Sequence, residues 1–287
     1  MAMIGHRGTV WLLSVVLLYL QMVQTVLPKA CKVNNGNCEQ FCKAEDEGAV
    51  CSCAAGYALG SDNKTCLPVG KKSHLKFILA SCKYVLVLYL SSLSLQAVLI
   101  AEEDDDWFCG GTILNEYFVL SGASCVNLSK DLQVLVGMVD KEKEEPSRAV
   151  HRVEKIIAHA EFDTETFDSD IALLKLEEPI TFSEDVVPAC LPEEHFANDV
   201  LMNQTYGIVS GFGREYLGSR PVRRMKVLQI PYVDRDTCKL ALRTPVTENM
   251  FCAGYDKDGK DACHGDGGGP HVTQYHGTYF ITGIVSW

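Results

Sequence analysis

The chain has 287 residues, room for one large domain and a small one, and its 47% hydrophobic content is that of a globular protein. A net charge of −11 argues against a general nucleic-acid binder. Thirteen cysteines, six of them between Cys31 and Cys66, indicate disulfides and an oxidising compartment, and the odd total leaves at least one thiol without an internal partner.

At the N-terminus, His6 and Arg7 precede a run from Val10 to Leu20 that is apolar but for Ser14. A basic flank followed by a short apolar core is the pattern of a secretory signal peptide, assigned here to residues 1–27, with cleavage expected between Gln21 and Ala30. The core is too short for a comfortable membrane span. The protein is therefore expected to be secreted and extracellular.

Residues 31–66 read C-x6-C-x3-C-x8-C-x-C-x12-C. Six cysteines allow 15 pairings by counting alone. With Gly36 and Gly56-Tyr57, this spacing resembles an epidermal-growth-factor-like module. The run Asn35-Gly36-Asn37-Cys38-Glu39-Gln40-Phe41-Cys42 is similar to the second such module of the coagulation factor X family. The resemblance implies the pairs Cys31–Cys42, Cys38–Cys51 and Cys53–Cys66. So short a module cannot bury enough apolar surface to fold unaided, so the bridges serve as its core. Pro28-Lys29-Ala30 before the first cysteine, and Ala44 after the third, depart from the calcium-binding subtype, so no calcium is expected in this module. The family's Glu-rich membrane-binding domain would lie upstream and has no counterpart in the residues before Cys31. Calcium-dependent membrane binding is therefore not expected.

Residues 67–95 read as a linker with an atypical apolar stretch. Phe77 to Ile100 is apolar except for Lys83, Gln96 and several serines, which leaves a membrane segment and a diverged or abnormally spliced linker both open. The family carries an activation site here, Arg followed by Ile-Val-Gly-Gly, and that tetrapeptide is missing. Cys82 lies where the resemblance implies a bond to Cys190.

From Gln96 to Trp287 the chain shows many short apolar segments punctuated by glycine and proline. They include 108–114, 117–120, 134–137, 153–158, 171–176, 208–213 and 281–287. This rhythm predicts all-β barrels rather than a parallel sheet. Asp261-Ala-Cys-His-Gly-Asp-Gly-Gly-Gly-Pro270 resembles D-A-C-x-G-D-S-G-G-P, which surrounds the nucleophile of chymotrypsin-like serine proteases. The resemblance implies a mainly β chain, with the small disulfide-rich module followed by a double six-stranded Greek-key barrel over 96–287. Family members continue past Trp287, so this domain is expected to be C-terminally incomplete, with the partner of Cys263 lying beyond it.

Acyl transfer by serine needs a nucleophile, an imidazole base, a carboxylate that orients the base, and two N–H groups for the oxyanion. The resemblance places Gly267 at the nucleophile. It places Ser124, in Leu120-Ser-Gly-Ala-Ser-Cys125, at the base. Asp170, in Asp168-Ser-Asp-Ile-Ala-Leu-Leu174, is the retained carboxylate, and Gly265 and Gly267 are the oxyanion donors. A serine hydroxyl cannot accept and return a proton near neutral pH as imidazole does. His264, three residues before Gly267, and Ser124, as a displaced nucleophile, are considered as substitute catalytic groups, but a side chain that points elsewhere is the expectation. Asp261, six residues before Gly267, stands where trypsin-like members hold the carboxylate that pairs with substrate Arg or Lys; a solvated loop aspartate is the alternative.

In the family an N-terminal ammonium pairs with the aspartate at Asp266. Without Ile-Val-Gly-Gly, that carboxylate is expected to be unpaired or its loop mobile. Met138 and Arg148 occupy the acidic ends of the family's protease-domain calcium loop. Glu142, Glu144 and Glu145 then read as a solvated charge run, and no metal or cofactor is expected. The resemblance further implies Cys109–Cys125 and Cys238–Cys252. Asn63, Asn127 and Asn203 open glycosylation sequons.

The sequence thus resembles the coagulation factor X/VII family but reads as a catalytically inactive member with a binding or regulatory role and coagulation-type protein partners. A serine endopeptidase cleaving after Arg or Lys, and a non-functional fragment of an aberrant transcript, are the alternatives.

Overall fold

The computed structural model describes residues 30–287 apart from 47, 55–56, 69–94, 102–106, 129–130, 215–219, 243, 256–261 and 263. The segment read as a signal peptide and nearly all of the stretch read as a linker lie outside these residues. So do Cys82, Asp261 and Cys263. Two units are compact in themselves, Met1–Leu67 and Pro68–Trp287.

In the first unit, β1 (Phe41–Glu45) pairs antiparallel with β2 (Gly48–Ser52), and Cys42 stands opposite Cys51. Strands β3 (Tyr57–Leu59) and β4 (Cys66–Pro68) form a second small sheet. The bridges are Cys31–Cys42, Cys38–Cys51 and Cys53–Cys66. Cys31, Cys38, Cys42 and Cys51 form the buried cluster, so sulfur takes the place of a hydrocarbon core. The turn Asn34–Asn37 runs through left-handed backbone at each residue, which asparagine and glycine tolerate. The Asn35 amide holds the turn closed by donating to the carbonyls of Cys38 and Gln40, at 3.0 and 2.5 Å.

The second unit opens with a closed barrel. Its strands are β5 (Gln96–Ala101), β6 (Trp107–Ile113), β7 (Phe118–Ser121), β8 (Leu132–Val136), β9 (Ala149–Ala158) and β10 (Ala172–Leu176). They close in the order β10-β7-β6-β5-β8-β9, which leaves no free edge. The final residues of the long apolar stretch are therefore strand. Strand β5 is buried on both faces: Ala97 and Leu99 point into the barrel, while Val98 and Ile100 join a second cluster with Phe212, Met225, Val272 and Ile281. That double burial explains a continuous apolar run where a half-exposed strand would alternate.

The second cluster is shared with a five-stranded sheet of order β13-β12-β11-β14-β15. These strands are β11 (Tyr206–Gly211), β12 (Lys226–Val233), β13 (Cys252–Ala253), β14 (Pro270–Tyr275) and β15 (Thr278–Ile284). Buried Gln96 links barrel to sheet, accepting from the Ser210 hydroxyl at 2.6 Å. Helical segments punctuate the unit: α1 (Ala123–Val126), α2 (Glu194–Phe196), which runs on into a π-helical turn over Ala197–Leu201, and α3 (Arg235–Ala241). Helix α3 starts where the Asp234 carboxylate accepts the N–H groups of Asp236 and Thr237, at 3.0 and 3.1 Å. These bonds also hold the Asp234 carboxyl below its usual range. The Cys238–Cys252 bridge ties α3 to β13. No helix among the described residues is long and apolar enough to cross a membrane.

His271 is the most buried titratable group of the sheet, at 3% exposure. It packs against Tyr232 and Phe251, its Nδ1 lies 2.8 Å from the Thr282 hydroxyl, and its Nε2 has no hydrogen-bond partner among the described residues. Burial pushes its pKa down to about 4. An unfolded histidine titrates near 6.5, so between these values the unfolded chain takes up a proton that the folded chain refuses. Stability is expected to be full above about pH 6.5 and to fall by up to about 3 kcal/mol as the pH drops towards 4. Urea denaturation at pH 7 and pH 4.5 checks this: His271→Gln should flatten the loss, and an unchanged pH dependence in that variant would refute it.

Candidate active site

Strand β7 ends at Ser121, and Gly122 leads in extended backbone into α1, which carries Ser124. The Cys109–Cys125 bridge fixes α1 to β6. Asp170 comes in from the segment preceding β10. A Cβ on residue 122 would sit 3.0 Å from the Asp170 Oδ1, so glycine there leaves the carboxylate room to approach. Asp170 accepts the Ser124 N–H on Oδ1 at 2.7 Å and the Ser124 hydroxyl on Oδ2 at 2.8 Å. The Ser286 hydroxyl donates to the same Oδ2 at 2.5 Å. Ser286 escaped the sequence reading; its only signal was a lone hydroxyl in Ile284-Val-Ser-Trp287, at the end of an apolar strand.

The loop carrying Asp170 is held from its other side. Phe167 and Ser169 take positive φ values of 59° and 57°. Between them, Asp168 accepts from the Thr247 hydroxyl and from the Asn249 amide, the latter at 3.1 Å. The Thr247 hydrogen bond holds the Asp168 carboxyl below its ordinary range.

The Gly267 loop is bound to both halves of the unit. Gly110 N–H donates to the Gly267 carbonyl, and Gly268 N–H to the Val285 carbonyl, each at 2.7 Å. Gly268 has φ +78°, and a Cβ there would strike the Ser121 hydroxyl at 2.4 Å and the Gly110 carbonyl at 2.6 Å. Gly267 differs: a Cβ would meet only the Ser286 carbonyl oxygen, at 3.8 Å. Nothing in the backbone requires glycine at 267, and what its absent side chain leaves is open space.

The peptide between His264 and Gly265 has a defined orientation. Arg214 N–H donates to the His264 carbonyl at 3.0 Å. There are no cis peptides among the described residues, and in a trans planar peptide N–H and C=O point in opposite directions. The Gly265 N–H is therefore directed away from Arg214. Neither Gly265 nor Gly267 donates its N–H to an acceptor among the described residues. Asp266 is half-buried rather than an unpaired carboxylate: its Oδ1 accepts the Gly213 N–H at 2.8 Å. Gly211 and Gly213 make its niche, since a Cβ on either would collide with the carboxylate.

Gly265 also lines a cavity with Gln96, Val98, Trp107, Lys141 and Phe212. The Lys141 ammonium lies 4.4 Å from the Trp107 ring centroid and 5.5 Å from that of Phe212. The neighbouring acidic run is not simply solvated. Arg223 bonds Asp140 at 2.8 and 3.2 Å and pairs with Glu142, while Glu145 accepts the Val139 N–H at 2.7 Å. The Arg223 bond holds the Asp140 carboxyl below the usual carboxylate range. An internal guanidinium thus organises this loop, a role sequence spacing could not reveal because Arg223 lies 83 residues from Asp140.

Cys190 is disulfide-bonded, with its partner outside the described residues, where Cys82 also falls. Asn63 and Asn127 are exposed. Asn203 is exposed too, but its amide donates to the carbonyls of Asn198 and Asp199, at 3.0 Å each.

With this geometry in place, residues 89–287 match the family described as Trypsin. Residues 31–66 match the family described as Coagulation Factor Xa inhibitory site.

Proposed function

The chain belongs to the trypsin family of serine proteases, with the architecture of a coagulation protease, and on that premise we propose that it is a secreted pseudoprotease of the factor X/VII type that binds polypeptide partners without hydrolysing them. The observation that carries the reading is the occupancy of Asp170. Its carboxylate, which should orient an imidazole, is engaged by the hydroxyls of Ser124 and Ser286. Opposite the retained donors, Gly267 offers no nucleophile. In a related hydrolase, loss of the nucleophile or the base alone costs about 10⁶ in turnover, roughly 8 kcal/mol of barrier. Both are missing here. The retained scaffold supports the binding half of the proposal: the loop bonds around Gly267, the glycines fitted to Asp266 and the Cys109–Cys125 bridge all hold the site's backbone in place. The disulfide-rich family is typically extracellular, which fits secretion and partners of the coagulation type.

The expected result with a mixture of Arg- and Lys-containing peptides is no cleavage detectable by mass spectrometry at micromolar protein. Cleavage after Arg or Lys that is abolished by Ser124→Ala would overturn the reading in favour of an endopeptidase.

A further inference from the structure

Among the described residues β15 is the last strand on its side of the sheet, and the chain leaving it carries Ser286 onto Asp170. One buried imidazole, that of His271 on β14, is packed against this strand end. We propose that His271 is an acid-sensitive latch: a proton taken up on its Nε2 frees the strand end from Thr282 to Trp287 and so lifts Ser286 off Asp170.

The hydroxyls around the ring fix its tautomer. The Thr282 hydroxyl gives its one proton to the His271 carbonyl, at 3.3 Å. Towards the ring its oxygen is then an acceptor, so the Nδ1 that lies 2.8 Å away carries the imidazole proton. The Thr273 hydroxyl, 3.0 Å from that of Thr282, donates to the same oxygen, and the Tyr232 hydroxyl donates to Thr273 at 2.7 Å. Nε2 is left as a bare lone pair with no hydrogen-bond partner among the described residues. This edge of the ring lies against Gly207, where a Cβ would come within 2.2 Å of both Cε1 and Nε2. A second proton goes to Nε2, where it meets no acceptor.

No counter-charge faces it either. Strand β11 presents Gly207 and Val209, β12 presents Tyr232, Phe251 packs on the ring just ahead of β13, and β15 presents Thr282 and Gly283. The one titratable group among these is the Tyr232 phenol, and burial raises its pKa, so it stays neutral. An imidazolium there has neither an anion nor water beside it, which the closed sheet disfavours strongly.

The strand end is the part that can give way. His271 pairs with Gly283 and Val272 with Ile281, so Thr282 is the extra residue of a bulge, where the ladder is locally disrupted. Thr278 to Ile281 are buried, whereas Thr282 to Ser286 are all only partly so. The Val285 N–H donates to the Gly269 carbonyl at 2.9 Å, the Gly268 N–H to the Val285 carbonyl at 2.7 Å, and the Ser286 hydroxyl to Asp170. Breaking these few bonds brings water to the imidazole without unfolding the closed barrel.

The closed-state pKa is about 4, and an imidazole in water titrates near 6.5, so relative to pH 7.5 the open form should be populated about 10 times more at pH 5.5 and about 70 times more at pH 4.5. Hydrogen exchange of the Gly268 and Val285 amides, corrected for the intrinsic effect of pH, reads this in the intact protein with its disulfides formed. Between pH 7.5 and 5.5, above the range where ordinary carboxylates titrate, their protection should fall about tenfold. It should also stay below that of the Val98 and Leu99 amides in β5 at both pH values. His271→Gln should abolish the fall although the exposed His264 and His276 remain, while Tyr232→Phe, which keeps the imidazole, should retain it. Unchanged protection in the unaltered protein would overturn the latch, and so would a fall that survives His271→Gln. Protection equal to that of β5 at both pH values would also overturn it, because opening would then be unfolding of the whole domain. Should His271→Gln fail to fold, the amides of the unaltered protein still decide. None of these outcomes bears on peptide hydrolysis, so the pseudoprotease reading is tested separately.

Discussion

Replacing Ser124 with histidine and Gly267 with serine together should raise hydrolysis of an arginine ester by at least about 10³-fold, while either change alone should stay within about tenfold of background. Nucleophile and base act as a unit, so supplying one without the other recovers almost nothing, and the whole unit is worth about 10⁶. Serine fits at 267, where the backbone is not left-handed and the nearest neighbour to a Cβ is 3.8 Å away. The backbone of residue 124 is already docked on Asp170 through its N–H at 2.7 Å, so an imidazole from that position is aimed at the same carboxylate. The missing Ile-Val-Gly-Gly tetrapeptide, taken alone, predicts a loose loop and no recovery. The bonds from Gly213 to Asp266 and from Arg214 to His264 shift that expectation, since they tie the loop to its neighbours. A double variant no better than either single would show that these bonds do not hold the loop in solution, and that catalysis was lost through loop order as well as through two side chains.

Neighbouring glycines should respond in opposite ways to the same substitution. Gly268→Ala is expected to destabilise the protein by about 4 kcal/mol, combining the cost of a left-handed alanine with overpacking against the Ser121 hydroxyl and the Gly110 carbonyl. The Gly110 carbonyl is backbone and cannot swing aside, so the clash cannot be relieved cheaply. Gly267→Ala should be neutral or stabilise by about 0.5 kcal/mol, because it restricts the unfolded chain without strain in the fold. Urea midpoints measured with the disulfides intact separate the two. Equal effects would mean that the loop relaxes around either side chain.

Positions 124 and 267 could be singled out in sequence because short motifs with fixed spacing surround them. The barrel strands were legible from their apolar rhythm, although β9 begins at Ala149, four residues before the apolar signal at Val153. Strand β12 was not read, since Pro231 within Lys226–Val233 looks like a break; it is tolerated because β13 pairs only with Tyr232 and Val233 beyond it. Helix α3 was also passed over, although Asp234 ahead of it is a recognisable cap. Contacts between distant segments could not be read from one chain at all. The pairing of Ser286 with Asp170 spans 116 residues, and Arg223 supplies a cation to a loop that, by local spacing, had lost its ligands. Asp266 was misjudged for the same reason, because its partner is a backbone N–H 53 residues away and the glycines that admit it leave no local signature.

The claim that this fold has kept a cleft while losing its chemistry is tested most directly by a fluorophosphonate, which reacts only with a hydroxyl activated by a neighbouring base. The unaltered secreted protein, incubated with excess reagent and weighed intact, should show no adduct, while an active trypsin-family protease treated in parallel labels fully. A stoichiometric adduct on the unaltered chain, mapped to Ser124 or Ser286, would contradict the account, because it would show that the carboxylate-bound serines form a working nucleophile.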